Sequence, residues 1–185
     1  MRDEATSPAS HVALLRGLNV GGKNVLPMPK LAALFEEAGC ADVRTYIQSG
    51  NVLFRAPKTV VRRLPQVILA RIGERHGLRV PVILRTATEL RGVAASNPFL
   101  ATGADPGQLY VAFLEDAPGA AAAGLDPGRS PPDAFAVRGR EVYLSLPNGV
   151  ARTKITNDYL DRTLGTRSTV RNWRTVLRLA GLVEK

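Results

Sequence analysis

The chain has one cysteine, Cys40, and two histidines, His11 and His76, among 185 residues. A lone thiol excludes an intramolecular disulfide and fits a reducing compartment, so the expected location is cytoplasmic. So few sulfur and imidazole groups leave a zinc or iron–sulfur centre without ligands, and neither a metal nor a cofactor is expected. A Cys–His nucleophile pair would need Cys40 beside His11 or His76, and no motif brings them together. Long apolar runs are missing too. Val80–Leu84 and Leu109–Leu114 are strand-sized, far short of the roughly 18 residues of a membrane helix, so no membrane partner is expected. Residues 1–10 carry Asp3 and Glu4 and lack a basic start followed by an apolar stretch. They read as a flexible tail rather than a secretory signal.

What the chain does have is apolar content and positive charge. Hydrophobic residues make up 45%, enough for a real core and against global disorder. The net charge is +9, which makes polyanions the natural partners. Twenty of the 25 basic residues are Arg, a bias that a GC-rich coding sequence would produce without any function. The distribution argues otherwise. Residues 44–91 carry ten Arg/Lys against Glu74 and Glu89, and residues 151–185 carry eight against Asp158, Asp161 and Glu184. Residues 92–150 carry only Arg129, Arg138 and Arg140 against six acids. Uniform bias would not segregate charge in this way.

Hydrophobic periodicity orders the elements. Val12–Leu18 reads as a buried strand, and Asn19–Leu26 as a glycine-bearing loop. Pro27 and Pro29 suit a helix entry. Leu31, Leu34, Phe35 and Ala38 then share one helical face that stops at Gly39. Val43–Gln48 and Val52–Arg55 form a hairpin around Ser49-Gly50-Asn51. Thr59–His76 is a second helix, which Pro65 kinks or begins, and Leu78–Arg85 is a fourth strand. The order β-α-β-β-α-β is the ferredoxin-like unit. After a short helix at Ala87–Ala95 the order recurs. Gln108–Glu115 is a strand, Pro118–Gly124 a short helix, and Ala134–Val137 with Glu141–Leu146 a hairpin. Thr153–Leu164 is a helix, Arg167–Val170 a last strand, and Arg171–Leu182 a terminal helix. The expected fold is therefore α+β: two successive ferredoxin-like (βαββαβ-type) halves plus a C-terminal helix. The first half spans 11–86, a connecting helix and loop 87–107, and the second half with its terminal helix 108–185.

Four polar stretches interrupt this pattern. Arg16, Asn19, Gly21, Gly22, Lys23 and Asn24 lie between the first strand and the first helix. Glycines there allow close backbone approach, and free N–H groups near a helix start favour an anion. The spacing is neither a P-loop nor GxGxxG, and a tight β-to-α turn explains the same residues. Gln48, Ser49 and Asn51 offer neutral donors at the hairpin, where plain turn chemistry is the simpler account. Thr153 reads as an N-cap, which places Lys154 in the first helical turn. A cation there opposes the helix dipole by about a few tenths of a kcal/mol unless an anion binds, and a solvated surface lysine is the competing account. Finally, Arg167, Arg171, Arg174 and Arg178 form one stripe if a helix begins near Thr169. Asn172 lies beside Trp173, which helical periodicity assigns to the core rather than to a stacking platform.

Two function classes can be tested on these residues. The element order is also that of RNA-recognition motifs, and Leu109–Leu114 resembles their first signature. Their second signature needs three aromatics, whereas Arg138–Ser145 supplies only Tyr143, so base stacking on the sheet is not expected. No Asp or Glu lies within the polar stretches, although Asp158 is near Lys154, and a Ser–His–Asp triad lacks members. Hydrolysis by familiar routes is disfavoured. A transferase working by positioning and Arg/Lys electrostatics is not.

The segments LLRGLNVGGKNVLPM (14–28), VRTYIQSGNVLF (43–54), NPF (97–99), YLSLPNGVARTKIT (143–156) and VRNWRTVLRL (170–179) resemble, in order, the bacterial family called domain of unknown function 1697. The resemblance implies two ferredoxin-like subdomains and no established activity, cofactor or substrate. Thr153 stands where the family usually has serine, which keeps a hydroxyl before Lys154. Arg16, Asn19, Gly21, Gly22, Asn24, Gln48, Ser49, Asn51, Lys154, Arg171, Asn172 and Trp173 are carried over as motif positions only.

The expectation is a protein that binds a phosphate-bearing or other anionic ligand, either a nucleotide-like molecule or a nucleic-acid backbone. The polar stretches, Lys23 included, would form one site between the halves. The alternatives are a metal-independent, transferase-like enzyme using Lys154 or Tyr46, and a structural or partner-binding module.

Overall fold

The computed structural model describes residues 9–183. The tail expected at 1–10 lies outside them except for Ala9 and Ser10, whose backbone already belongs to the first strand. Inter-residue contacts divide the chain into two compact units, one running to Ala87 and including Leu182 onward, the other Thr88–Gly181.

The first unit contains β1 (Ala9–Leu15), α1 (Met28–Glu37), β2 (Ala41–Tyr46), β3 (Asn51–Ala56), α2 (Lys58–His76) and β4 (Val82–Thr86). Its sheet has the order β2-β3-β1-β4 with every pairing antiparallel. Helix α1 starts between Pro27 and Pro29, whose missing N–H groups fall where a helix start leaves donors unpaired anyway. It lays Leu31, Leu34 and Phe35 on Ala13, Leu15, Val52 and Phe54, and α2 adds Leu64, Ile68 and Ile72 to the same core. Pro65 does not start α2. The helix runs through it from Lys58, and Gly77 closes it in the left-handed conformation.

Strand limits follow backbone pairing rather than hydrophobicity. Leu18 is fully buried, yet β1 stops at Leu15: the Arg16 amide still donates to the Pro81 carbonyl at 3.0 Å, but Pro81 has no N–H to return the bond and Gly17 turns the chain. Val80 is likewise buried, but Pro81 has no N–H for the ladder and β4 begins only at Val82. Within the β2–β3 pairing the register shifts between Ala41↔Arg55 and Arg44↔Leu53. Asp42 and Val43 together oppose Phe54, which is a β-bulge, and Asp42 takes a left-handed φ of 52° there.

The second unit contains α3 (Ala87–Ala95), β5 (Leu109–Leu114), β6 (Ala134–Arg138), β7 (Glu141–Ser145), α4 (Asn157–Leu164), β8 (Ser168–Asn172) and α5 (Trp173–Leu182). Its order, β6-β7-β5-β8, repeats that of the first sheet. A six-residue 3-10 turn, Gly119–Gly124, stands where the first unit has α1. Helix α3, expected as a connector, is tied into this unit. The Tyr143 hydroxyl donates to the Val93 carbonyl at 3.3 Å and lies 3.1 Å from Ser96 Oγ. Helix α4 sets Tyr159, Leu160 and Leu164 on Ala112, Leu114, Val142 and Leu144. In each sheet the face away from these cores carries one buried arginine. Arg85 is paired opposite Val12, and Arg171 opposite Val111.

Candidate functional site

The first two polar stretches meet in the first unit, and Asn19 joins them. Its Nδ2 donates to the Leu26 carbonyl at 2.9 Å and to the Gln48 carbonyl at 2.8 Å, while its Oδ1 accepts from the Leu26 amide at 2.7 Å. One side chain thereby closes the 19–26 loop and fastens it to the β2–β3 turn. That turn is Ile47–Gly50 rather than Ser49–Asn51, because Asn51 already pairs with Tyr46 as the first residue of β3. Asn51 is fully buried, and its Nδ2 donates to the Tyr46 carbonyl and to Ser49 Oγ, both at 3.1 Å. Gly50 closes the assembly. A Cβ there would stand 2.9 Å from Leu15 Cβ, and its φ is 75°.

The loop itself is a miniature hairpin. Val20 and Lys23 form a bridge, the Lys23 amide donates to the Val20 carbonyl at 3.0 Å, and the Asn19 amide donates to the Asn24 carbonyl at 3.1 Å. Gly21 and Gly22 both have positive φ, as a two-residue type I′ turn requires. The glycines therefore make a protruding tip. The amide of Lys23 is spent on the turn, and Asn24 to Pro27 separate the tip from α1, so the tip does not adjoin the helix start. Lys23, Val20 and Val25 are exposed, as are Ile47 and Gln48 across the junction. Arg16 is half-buried at the base. Asn19, Asn24 and Ile47 all have φ near 50°. Asparagine tolerates this conformation, but a β-branched residue is strained in it.

In the second unit the premises behind two expected positions change. Lys154 is not in a helical turn. Helix α4 begins three residues later than expected, at Asn157, with Thr156 as N-cap accepting from the Tyr159 amide. Thr153 instead accepts from the Ile155 amide, a local turn that buries Ile155. The backbone of Lys154 is clamped from both sides, its amide donating to Ser130 Oγ at 3.0 Å and its carbonyl accepting from Arg129 Nε at 2.9 Å. The Arg129 guanidinium also covers the Tyr159 ring at 3.9 Å. The Lys154 side chain is exposed.

The arginine stripe does not exist either. Arg171 is in β8, and α5 starts only at Trp173, so the four arginines span a strand and a helix. Arg171 is buried and donates to Thr169 Oγ1 and the Val170 carbonyl, both at 2.9 Å, and burial pulls its pKa down to about 10. Asn172 caps α5 by accepting from the Thr175 amide at 2.8 Å. Trp173 is buried in the core. Among the described residues no group of three or more His, Cys, Asp or Glu side chains converges as a metal site would need, and no helix is long and apolar enough to cross a membrane.

Sequence reasoning missed Asp42 and the bulge around it, together with Arg44 and Arg55 on either side. The only signal was Ala41-Asp42 following Gly39-Cys40, where a charged residue interrupts the start of a strand.

Two four-stranded antiparallel sheets with one strand order, each carrying helices, and a terminal helix define an α+β protein of two ferredoxin-like halves. The chain belongs to the family whose description is "Protein of unknown function (DUF1697)", the family model matching residues 9–143. The segments at 143–156 and 170–179 fall almost wholly beyond that match. A solved structure, described as conserved bacterial protein SP0830 from Streptococcus pneumoniae, superimposes with a TM-score of 0.67 at 17% identity, covering 96% of this chain and 99% of that one. That likeness extends the shared fold past residue 143. No curated protein matches the chain.

Proposed function

We propose that the protein binds a nucleic-acid backbone, and that the first unit is the binding half. One observation carries this reading: residues 9–87 hold twelve Lys/Arg against four Asp/Glu, whereas residues 88–181 hold eleven against nine. The positive excess thus coincides with one structural unit. Lys23 on the hairpin tip and Arg16 at its base lie at one end of the first sheet, and the exposed Lys58, Arg62 and Arg63 in the first two turns of α2 begin at the other, so the contacts would follow an extended backbone. Helix α2 has no acidic residue in its first turn, so those cations oppose its dipole until an anion arrives. A tip projecting from the sheet suits a polymer backbone better than an enclosed metabolite, which would need a cradle. The single buried Cys40 is in keeping with a reducing, cytoplasmic setting.

The test is fluorescence anisotropy with a labelled single-stranded oligonucleotide at two salt concentrations. Backbone binding weakens steeply with salt, and each contact removed reduces the slope by roughly one. The triple variant Lys23→Ala/Arg62→Ala/Arg63→Ala is expected to lower affinity at least about tenfold and flatten the slope. Arg152→Ala/Arg162→Ala/Arg174→Ala, in the second unit, is expected to change both little. Equal effects from the two sets would overturn the assignment to the first unit, and salt-independent binding would overturn the backbone reading altogether.

A further inference from the structure

The β2 bulge opens a cavity of about 390 Å³ at the end of the first sheet where β1 and β2 begin, the opposite end from the hairpin tip. This lies within the roughly 300–1,000 Å³ of ordinary small-molecule sites. Its walls are of two kinds. Leu53, Phe54 and Val183 are buried and apolar, and Val43 is half-buried beside them. His11 is also buried, with its ring stacked on Phe54 at 5.5 Å between centroids and 17° between planes. His11 and Phe54 point to the helix-covered face, and on the other face, beside Leu53, stand two exposed guanidinium groups, Arg44 and Arg55.

Neither arginine is committed to a strong partner. Arg55 Nε is 3.5 Å from Asp42 Oδ2, with both side chains largely solvated, and Arg44 reaches the Leu182 carbonyl only at 3.4 Å. Contrast Arg75 in the same unit, which grips Glu37 with both terminal nitrogens at 3.0 and 2.7 Å. Two guanidiniums facing one carboxylate leave a net positive rim on an apolar cavity. The bulge creates this arrangement. The extra residue in β2 brings the Asp42 carboxylate onto Arg55 and sets Arg44 and Arg55 on either side of the gap in the ladder. Bulges are over-represented next to sites of function, where they re-aim side chains, and this one holds Asp42 in a left-handed conformation.

We propose that this cavity binds a compact organic anion, an oxyanion carried on a flat apolar body. The carboxylate or phosphate would bridge Arg44 and Arg55 in the fork geometry that guanidinium offers. The apolar body would lie over Leu53 and Val183, beside the two arginines. Asp42 competes with the ligand for Arg55. The site is independent of the hairpin tip and of whether the chain binds nucleic acid.

Heteronuclear NMR titration with phenyl phosphate, benzoate and inorganic phosphate tests the proposal. Phenyl phosphate or benzoate is expected to bind saturably, with shifts centred on Arg44, Leu53 and Val183. The tighter of the two identifies the oxyanion. Arg55→Ala should weaken binding about tenfold, the double variant Arg44→Ala/Arg55→Ala should abolish it, and Asp42→Asn should tighten it several-fold. Lys23→Ala should leave it unchanged. Both arginines are exposed, so these variants are expected to fold, which the dispersion of the same spectra verifies. Undiminished binding to the double variant overturns the proposal. So does non-saturable titration by both aromatic anions, or inorganic phosphate binding as tightly as they do.

Discussion

Asn19 satisfies both amide donor directions and its acceptor in a single junction, and it does so in a backbone conformation that few other residues accept. Asn19→Ala removes three hydrogen bonds and forces alanine to positive φ, so it should destabilise the protein by about 2–4 kcal/mol in urea unfolding. Asn19→Gly relieves the backbone part and should cost measurably less. If the two variants were equally unstable, the conformation at this position would have no energetic weight. Cys40 gives a second test at this scale. Burial pushes its thiol up to about 11, above its value in the unfolded chain. A folded-state pKa that is raised contributes stability fully present below the unfolded pKa of about 8.5 and lost as pH climbs to the folded value. Wild type should therefore lose stability between about pH 8.5 and 11 more steeply than Cys40→Ala. Parallel pH profiles for the two proteins would contradict this. By the same argument the native thiol should react slowly with a disulfide reagent at neutral pH.

Among the elements, α2 contains its own test. Pro65 lies inside the helix, half-buried, and cannot donate to the Val61 carbonyl one turn earlier. Pro65→Ala restores that donor and is expected to raise the melting temperature, with a gain of up to about 3 kcal/mol. A decrease would mean that the ring's packing outweighs the missing hydrogen bond. This element, like most strands and helices here, was readable from periodicity because burial and period agree. Where they conflict, backbone pairing decides. The sequence Thr153-Lys154-Ile155-Thr156 offers two hydroxyl caps three residues apart, and only the burial of Ile155 selects the second. The arginines at 167, 171, 174 and 178 have helical spacing, but residues 168–172 pair with β5 and turn Arg171 inward. The candidate loop was legible as a polar break and not as a hairpin, because Gly-Gly serves a cradle and a type I′ turn equally well. The bulge cavity left only the charged Asp42 at a strand start as its signature, since its shape depends on how β2 registers against β3.

For the whole molecule, the division of charge was half visible in the sequence. Its segregation along the chain could be counted, but the match between the positive excess and one structural unit needed the boundary at Ala87/Thr88. The internal repetition of topology was also visible, though the 3-10 turn that replaces a helix in the second unit was not. The bulge bears on self-association as well. In the first sheet β2 is an outer strand, with one side of its backbone not paired within that sheet. A regular outer strand is a template for a second copy, edge against edge. Asp42 and Val43 break that template with an irregular step, and Asp42 and Arg44 place charges beside it. Deleting Val43 would restore an even ladder with β3. The resulting protein should assemble as its concentration rises, eluting progressively earlier in gel filtration while wild type holds its position. A deletion variant that eluted at the same volume at every concentration would show that the step is not what keeps copies of the chain apart.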